Sequence, residues 1–136
     1  PVQPAAARRW VLFLPEGEMH ELALLFMNYA LRARGHHVLY LGQNLPTQEL
    51  AQVCTAYQPY AIATVMTAVP ERDRVQAFID ELQELCPDVL QLLYGPLAQQ
   101  SQLILPARTV RLRLMTDFLA LIDQLETAEP ANPAAS

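Results

Sequence analysis

Short runs that are almost wholly apolar alternate along the chain with longer segments in which apolar residues recur every three or four positions. The apolar runs are typical of strands that are covered on both faces of a parallel sheet. They comprise RRWVLFLP (8–15), HHVLYLG (36–42), YAIATVM (60–66) and DVLQLLYGP (88–96). A weaker run, ARTVRLRL (107–114), carries alternating arginines, which favours a strand at the edge of the sheet. The pattern therefore predicts five strands.

The longer segments predict four helices. The first runs from about Met19 to Arg34 and ends at Gly35, which supplies a C-terminal stop. The second follows a capping signal at Thr47, the third closes at Pro87, and the fourth covers 115–126. The apolar residues at helical spacing in these four segments are Leu22, Leu25, Phe26 and Tyr29; Leu50, Val53, Cys54 and Tyr57; Val75, Phe78, Ile79 and Leu82; and Phe118, Leu119, Ile122 and Leu125.

Alternation of strands and helices predicts an α/β fold. We expect a flavodoxin-like, doubly wound five-stranded parallel sheet, made of five strand–helix pairs with helices on both faces. The reversal of strand order in such a sheet leaves a crevice at the carboxyl ends of the strands. Candidate functional residues therefore lie in the loops after the strands, namely PEGEMHE (15–21), GQNLP (42–46), TAVPERD (67–73), YGPLAQQS (94–101) and the turn around Leu114.

Length and composition predict one domain. With 136 residues, 52% of them hydrophobic, the chain has material for a single core, which we place at residues 8–126. Residues 1–7, rich in proline and alanine, read as a linker, and residues 127–136 as a disordered tail. No apolar run approaches the ~20 residues that cross a bilayer, and no secretory cleavage pattern follows the start, so we expect a cytoplasmic location.

Charge and cysteine usage exclude some functions. Nine basic residues stand against 14 acidic ones, giving a net charge of −5, and the arginines are scattered. We therefore expect no direct contact between this chain and a nucleic acid. Cys54 and Cys86 lie in predicted helices without a metal-type spacing, and we predict buried, unpaired and inert thiols.

Three known uses of this type of fold do not fit the loops. A phosphoacceptor receiver needs an aspartate at the end of the third strand, where this chain has Thr64 to Thr67, and a lysine after the fourth strand, where it has none. A flavodoxin-type phosphate loop is disfavoured because the three glutamates of PEGEMHE would repel a phosphate. A dinucleotide fingerprint is absent because the four glycines are not clustered.

His20 is the residue in these loops with the clearest potential for chemistry. Glu18 and Glu21 flank it, and a carboxylate partner can orient an imidazole towards a metal. The alternative is that both glutamates simply favour the first turn of a helix and that His20 is exposed. No second histidine, cysteine pair or carboxylate cluster completes a zinc site, so a metal would have to bring most of its own ligands, as a macrocycle does. We expect His36 and His37 to be structural or solvent-facing.

Several segments together resemble a cobalamin-binding domain. They are Glu18-x-His20, GHHVLYLGQNLP (35–46), ATVMT (63–67) and YGP (94–96), and the resemblance covers about residues 9 to 125. The chain most resembles the version found at the C-terminus of MerR-type transcription regulators that sense light through adenosylcobalamin. The resemblance implies that His20 replaces the cofactor's benzimidazole as lower cobalt ligand and that Glu18 orients it.

The same resemblance implies a set of cofactor-binding positions. Thr64 and Met66 stand where the family has Ser-x-Leu, Tyr94 and Gly95 where it has Gly-Gly, and Ala23 where its histidine loop has glycine. The full candidate set is Gly17, Glu18, Met19, His20, Glu21, Ala23, Thr64, Met66, Thr67, Tyr94, Gly95 and Pro96, with His20 as the metal ligand and no catalytic residue. Tyr94 is the largest departure, since its ring either fills the pocket for the nucleotide tail or points into the helix layer.

The resemblance implies a non-catalytic sensor whose partners are a corrinoid and, elsewhere in the same protein, a helical bundle and a DNA-binding domain. A second hypothesis is a degenerate module that keeps the fold for protein contacts and binds no corrinoid, which Tyr94 and Ala23 favour. A third is the carrier subunit of a cobalamin-dependent enzyme. Self-association through outer helices is also possible, although the sequence does not indicate which face would be used.

Overall fold

The computed structural model describes residues 7–43 and 45–127, which form five parallel strands and four helices. The strand order is β2-β1-β3-β4-β5, and each neighbouring pair is parallel. This confirms the doubly wound fold and the edge position of the last strand. The strands are β1 (Arg9–Phe13), β2 (His37–Gly42), β3 (Ala61–Val65), β4 (Leu90–Tyr94) and β5 (Thr109–Leu112).

Helices cover both faces of the sheet. They are α1 (Leu22–Ala33), α2 (Leu50–Tyr57), α3 (Val75–Leu85) and α4 (Met115–Thr127). Side chains of β1 alternate between two core clusters: Trp10 and Leu12 pack with α1 and α4, while Val11 and Phe13 pack with α2 and α3. The inward residues predicted for α3 are buried, and those predicted for α2 and α4 are buried or half-buried against the same clusters.

The connection from β4 to β5, which is described throughout, contains no α-helix, so the count of five strand–helix pairs was wrong, while the four helices predicted from the periodic segments are confirmed. It consists of a short 3-10 turn (Pro96–Gln99) followed by an irregular segment. The sequence between the turn and Pro106 has no helical periodicity, and Ala98 and Leu103 cover the cluster beneath α2 and α3 in place of a helix. The fold therefore has five strands but four α-helices within the described residues.

The first helix turns its other apolar side to the core. Leu24, Met27, Ala30 and Leu31 are buried. The residues at the spacing highlighted by the sequence are instead exposed, namely Leu22 (83%), Leu25 (46%), Phe26 (41%) and Tyr29 (70%). Both sets recur at helical spacing, so periodicity alone could not choose between them.

The two cysteines are paired, and the prediction of free thiols was wrong. Cys54 in α2 forms a disulfide with Cys86, which directly follows α3, and the two Cα atoms are 6.2 Å apart. The two helices lie side by side on one face of the sheet, a proximity that the spacing of 32 residues does not reveal. The predicted side-chain cap at Thr47 is also absent; its backbone N–H donates to Glu16 instead.

The predicted linker (1–7) and tail (127–136) fall almost entirely on residues 1–6 and 128–136, outside the described residues. Across the part of the chain that the structure describes, no helix is long and apolar enough to span a membrane.

Candidate functional site

The candidate site lies in the loop between β1 and α1, at the carboxyl edge of the sheet. In the sheet, β1 lies between β2 and β3. After β1 the chain continues to β2 on one side, and after β3 it continues to β4 on the other side, so the loops after β1 and β3 diverge. This is the switch point at which open α/β sheets bind ligands. Gly17 turns the loop with a φ of +90°, a conformation that side chains with a Cβ rarely adopt.

Glu18 joins the two diverging loops. Its side chain is fully buried, and its Oε1 accepts hydrogen bonds from the backbone N–H groups of Thr67 (2.7 Å), Ala68 (2.7 Å) and Val69 (3.1 Å) after β3. Its Oε2 accepts from the backbone N–H (3.0 Å) and Nδ1 (2.8 Å) of His20. Burial alone would raise the pKa of the carboxyl, but the hydrogen bonds from His20, Ala68 and Val69 outweigh it and lower the pKa to about 2. Glu18 is therefore ionised at neutral pH.

His20 projects from this buried anchor. Its side chain is 64% exposed, in contrast to the buried carboxylate beside it. Because an ionised carboxylate can only accept, Nδ1 carries the proton and donates it to Glu18, which leaves Nε2 of the neutral ring with its lone pair. Within the described residues, Nε2 has no hydrogen-bond partner. A carboxylate that fixes the tautomer and orientation of a histidine is the usual support of a metal-binding imidazole.

The other two glutamates of the loop, Glu16 and Glu21, accept hydrogen bonds from β2 and from the segment that follows it. Oε1 of Glu16 accepts from the backbone N–H of Thr47 at 2.9 Å, and Oε2 of Glu21 accepts from the hydroxyl of Tyr40 at 2.6 Å. Burial and the neighbouring Glu21 raise the pKa of Tyr40, so the phenol stays a donor. The acidic loop is thus held from both sides of the switch point.

Gly95 allows the end of β4 to lie directly against the end of β3. Its φ is +107°, and a Cβ there would stand 2.5 Å from the carbonyl oxygen of Met66. The backbone N–H of Met66 donates to the carbonyl of Tyr94 at 2.8 Å, and the side chain of Met66 is fully buried beneath α2 and α3. Gly95 and Met66 therefore shape the floor of the site through their backbones.

Thr64 carries a buried hydroxyl without a protein partner. It is 1% exposed, and its Oγ1 makes no hydrogen bond within the described residues. Alternation along β3 places it on the α2–α3 side, between Ile62 and Met66. A buried hydroxyl normally finds a partner, so this one marks a place where a polar ligand group would be favoured.

Tyr94 and Ala23 lie on the opposite side of the sheet. Both are half-buried and pack against the core cluster formed with α1 and α4. The ring of Tyr94 thus enters the helix layer at the carboxyl end of β4. Met19 and Pro96 are exposed at the rim. The structure brings together Glu18, His20 and Thr67, and separates Thr64 from Tyr94 and Ala23.

Sequence reasoning missed the backbone donors of Ala68 and Val69 and the contacts of Glu16 and Tyr40. Backbone N–H groups leave no mark in a sequence, since any residue other than proline supplies one. The three glutamates in PEGEMHE were the available signal, because closely spaced carboxylates need separate partners. Among the described residues, no group of three or more His, Cys, Asp or Glu side chains could hold a metal ion by itself.

The solved chains that resemble this chain in structure include the following three. A cobalamin-binding protein from Desulfitobacterium hafniense has a TM-score of 0.67 and 17% identity, and the match covers 88% of this chain and 59% of that one. The methanol:cobalamin methyltransferase complex of Methanosarcina barkeri has a TM-score of 0.70 and 18% identity, and the match covers 90% of this chain and 48% of that one. The monomethylamine corrinoid protein of Methanosarcina barkeri has a TM-score of 0.57 and 16% identity, and the match covers 88% of this chain and 57% of that one. These likenesses show a shared fold. The chain spans only about half to three fifths of the length of these proteins. No protein-family model matches the chain, and no curated protein is similar to it.

Proposed function

We propose that this domain binds a corrinoid of the cobalamin type, with Nε2 of His20 as the lower ligand of cobalt and Glu18 as the residue that holds the imidazole. The observation that carries the proposal is the pairing of a fully buried, ionised Glu18 with an exposed His20. The three solved proteins of the same fold are named as cobalamin-binding, cobalamin methyltransferase and corrinoid proteins, which supports the same ligand class.

The residues present fit such a ligand. A single histidine at the switch point suits a metal whose equatorial ligands belong to a macrocycle. Bound cobalt would supply the organometallic chemistry, while Glu18 keeps the proton of His20 on Nδ1 and leaves Nε2 free to coordinate. The unpartnered hydroxyl of Thr64 offers one hydrogen bond to a group that enters the crevice. Tyr94 and Ala23 pack against the α1–α4 cluster, on the side of the sheet opposite Thr64.

The role that we propose for the domain is regulatory and non-catalytic. The sequence resemblance supports a cobalamin sensor of a MerR-type regulator, with DNA binding supplied by another domain of the same protein. A carrier subunit is the second candidate, because one solved structure of the same fold is a methyltransferase complex. Two experiments distinguish the sensor from the carrier: illumination of the chain loaded with adenosylcobalamin, and incubation of the corrinoid-loaded chain with a methyltransferase. A light-driven change in oligomeric state supports the sensor, and methyl uptake from a methyltransferase supports the carrier.

The test of binding itself is spectroscopic. The purified chain is mixed in the dark with adenosylcobalamin or hydroxocobalamin, desalted, and its visible spectrum recorded. We expect the protein fraction to retain colour with the spectrum of a cobalamin whose benzimidazole is displaced. His20→Ala should lose that signature, whereas His37→Ala, an exposed histidine on β2, should keep it. A colourless wild-type fraction, or an unchanged spectrum in His20→Ala, would refute the proposed site.

A further inference from the structure

Helix α2 buries fewer side chains than α3, its neighbour on the same face of the sheet. Of its eight residues only Leu50 is fully buried, whereas α3 buries Val75, Phe78, Ile79 and Leu82. An isolated helix of this length is unstable in water, so α2 depends on its attachment to the rest of the domain.

The two ends of α2 add little to its stability. Within the described residues no side chain caps its first turn, and the chain leaves the helix through Gln58, whose φ of +52° is less favourable for glutamine than for glycine. The hydroxyl of Thr55 donates back to the carbonyl of Ala51 at 2.9 Å, a bond that slightly destabilises helices. The covalent link from Cys54, in the last turn, to Cys86 is therefore a major attachment of α2 to α3.

The segments on either side of α2 are held without the disulfide. Before the helix, the backbone N–H of Thr47 donates to Oε1 of Glu16 at 2.9 Å. After the helix, Nε and Nη2 of Arg9 donate to the carbonyl of Gln58 at 3.3 and 3.2 Å. Loss of the disulfide can therefore free residues 48–57 while the loop of the candidate site and strand β3 keep their own contacts.

The disulfide is accessible to a small reductant from the side of Cys54. Cys86 is only 1% exposed, but Cys54 is half-buried, and both line a surface cavity of about 260 Å³ together with the turn at residues 87–89. A thiolate that enters this cavity can attack the sulfur of Cys54. The sulfur of Cys86 lies 3.7 Å from the carbonyl oxygen of Leu50, which can accept the S–H that forms when Cys86 leaves.

We propose that the disulfide between Cys54 and Cys86 is a redox-sensitive switch, whose reduction by a dithiol releases α2 from α3 and leaves the other elements folded. A thiolate of the dithiol bonds to the sulfur of Cys54, the bond between the two cysteines breaks, and Cys86 leaves as a thiolate that takes up a proton. The second thiol of the reagent then displaces Cys54, which also takes up a proton. The dithiol is oxidised to a disulfide, and the two protons that it loses balance those that the cysteines gain.

Release of α2 uncovers part of the face of the sheet that it covers together with α3. Leu50 lies there in the core cluster that includes Val11, Phe13 and Ile62. Thr64, whose hydroxyl has no partner within the described residues, lies on the same side of the sheet. Reduction therefore opens the α2 side of the crevice. The proposal does not rest on corrinoid binding, because the switch consists of protein alone.

Hydrogen–deuterium exchange of the full chain, oxidised or reduced with dithiothreitol, tests the proposal. Loss of a cross-link also favours global unfolding, so the amides of α3 serve as the internal reference for that effect. We expect reduction to raise the ratio of the α2 exchange rate to the α3 exchange rate at least about tenfold, and re-oxidation to reverse the change. A ratio that stays the same or falls, or loss of the whole fold on reduction, would overturn the proposal.

A double variant separates the disulfide from other effects of the reductant. Cys54→Ser with Cys86→Ser should show the exchange ratio of the reduced wild type, both with and without dithiothreitol. A ratio equal to that of the oxidised wild type would contradict the proposal. The comparison of oxidised with reduced wild type needs no substitution, so it decides the matter even where the double variant fails to fold.

The site of attack is tested with a monothiol, whose adduct can be trapped by acid and located by peptide mass spectrometry. Mercaptoethanol added to the folded chain should leave its adduct on Cys54, because Cys86 is buried. An adduct mainly on Cys86, or a disulfide that dithiothreitol reduces only after the chain is unfolded, would overturn the switch.

Discussion

Glu18 and His20 form a hydrogen-bonded pair in which one partner is fully buried and the other faces solvent. Nδ1 of His20 lies 2.8 Å from Oε2 of Glu18, and the second oxygen of the same carboxylate accepts three backbone N–H groups from the loop after β3. One side chain therefore closes the switch point of the sheet and fixes the orientation of the imidazole. Glu18 thus both joins two loops and orients the candidate ligand His20, which makes it the most informative residue to change.

Replacing Glu18 by Gln should destabilise the domain in a pH-dependent way. The folded pKa of about 2 lies below the ordinary value of 4.5, so the carboxylate contributes stability that is present above pH 4.5 and lost as the pH falls through 2. We expect a loss of about 1–3 kcal/mol near neutral pH, since the amide oxygen keeps part of the hydrogen bonding. Urea denaturation between pH 7 and pH 2.5 measures it.

The difference between wild type and Glu18→Gln should stay constant from pH 7 to about pH 4.5 and shrink as the pH falls further. Glu84→Gln, an exposed change on α3, serves as the control and should differ little from wild type at any pH. A stability difference that stays constant down to pH 2.5 would show that ionisation of Glu18 is not the cause.

Two glycines of the site should respond differently to alanine. Gly95→Ala combines a positive φ with a Cβ 2.5 Å from the carbonyl oxygen of Met66, so we expect a loss of about 3–4 kcal/mol or failure to fold. Gly17→Ala has a positive φ, but its Cβ would meet only Val69 at 3.9 Å, and should cost about 1–2 kcal/mol. Thermal denaturation compares the two, and equal losses would contradict the close approach at Gly95.

Tyr94 should contribute to the stability of the domain rather than block a ligand. Its half-buried ring packs against the α1–α4 cluster at the carboxyl end of β4. We predict that Tyr94→Gly lowers the free energy of unfolding by about 2–4 kcal/mol, because it removes a large side chain from that packing and places a glycine in a strand, and that it leaves the affinity for cobalamin unchanged. Urea denaturation and titration with cobalamin measure the two effects, and cobinamide, which lacks the nucleotide, is the control ligand. Tighter binding of cobalamin with no change for cobinamide would show that the ring stands in the space of the nucleotide tail.

The disulfide between Cys54 and Cys86 should contribute strongly to stability. Chain entropy predicts about 3–4 kcal/mol for a closed loop of 32 residues. Urea denaturation with and without a reductant measures the contribution, and the double variant Cys54→Ser with Cys86→Ser should be insensitive to the reductant. Thiol alkylation of the unreduced, unfolded chain should label neither cysteine. Labelling of both without reductant would contradict the pairing.

The fold was predictable because strand and helix periods alternate clearly, as in the run from Trp10 to Leu14 and the spacing of Val75, Phe78, Ile79 and Leu82. The inward side of α1 was not, because the helix is apolar on both sides and periodicity fits either set. The pairing of Cys54 with Cys86 depends on two helices becoming neighbours on the sheet, which is a tertiary event that local patterns do not encode.

For the site, the pattern Glu18-x-His20 predicted the hydrogen-bonded pair, because two residues separated by one position in a loop can face each other. The sequence did not indicate that Glu18 would bind three backbone N–H groups after β3, since those donors belong to the main chain. It also left the direction of Tyr94 open, which the structure resolves by packing the ring against the α1–α4 cluster.

The central claim is that Nε2 of His20 coordinates cobalt. The most direct measurement is electron paramagnetic resonance of the chain loaded with cob(II)alamin, in which the axial nitrogen splits each cobalt line. Protein labelled with ¹⁵N-histidine should convert the triplet splitting of a ¹⁴N ligand into a doublet, and His20→Ala should lose the protein-derived splitting. A triplet that persists in the labelled protein would show that the cofactor's own benzimidazole occupies the axial position, and would contradict the account.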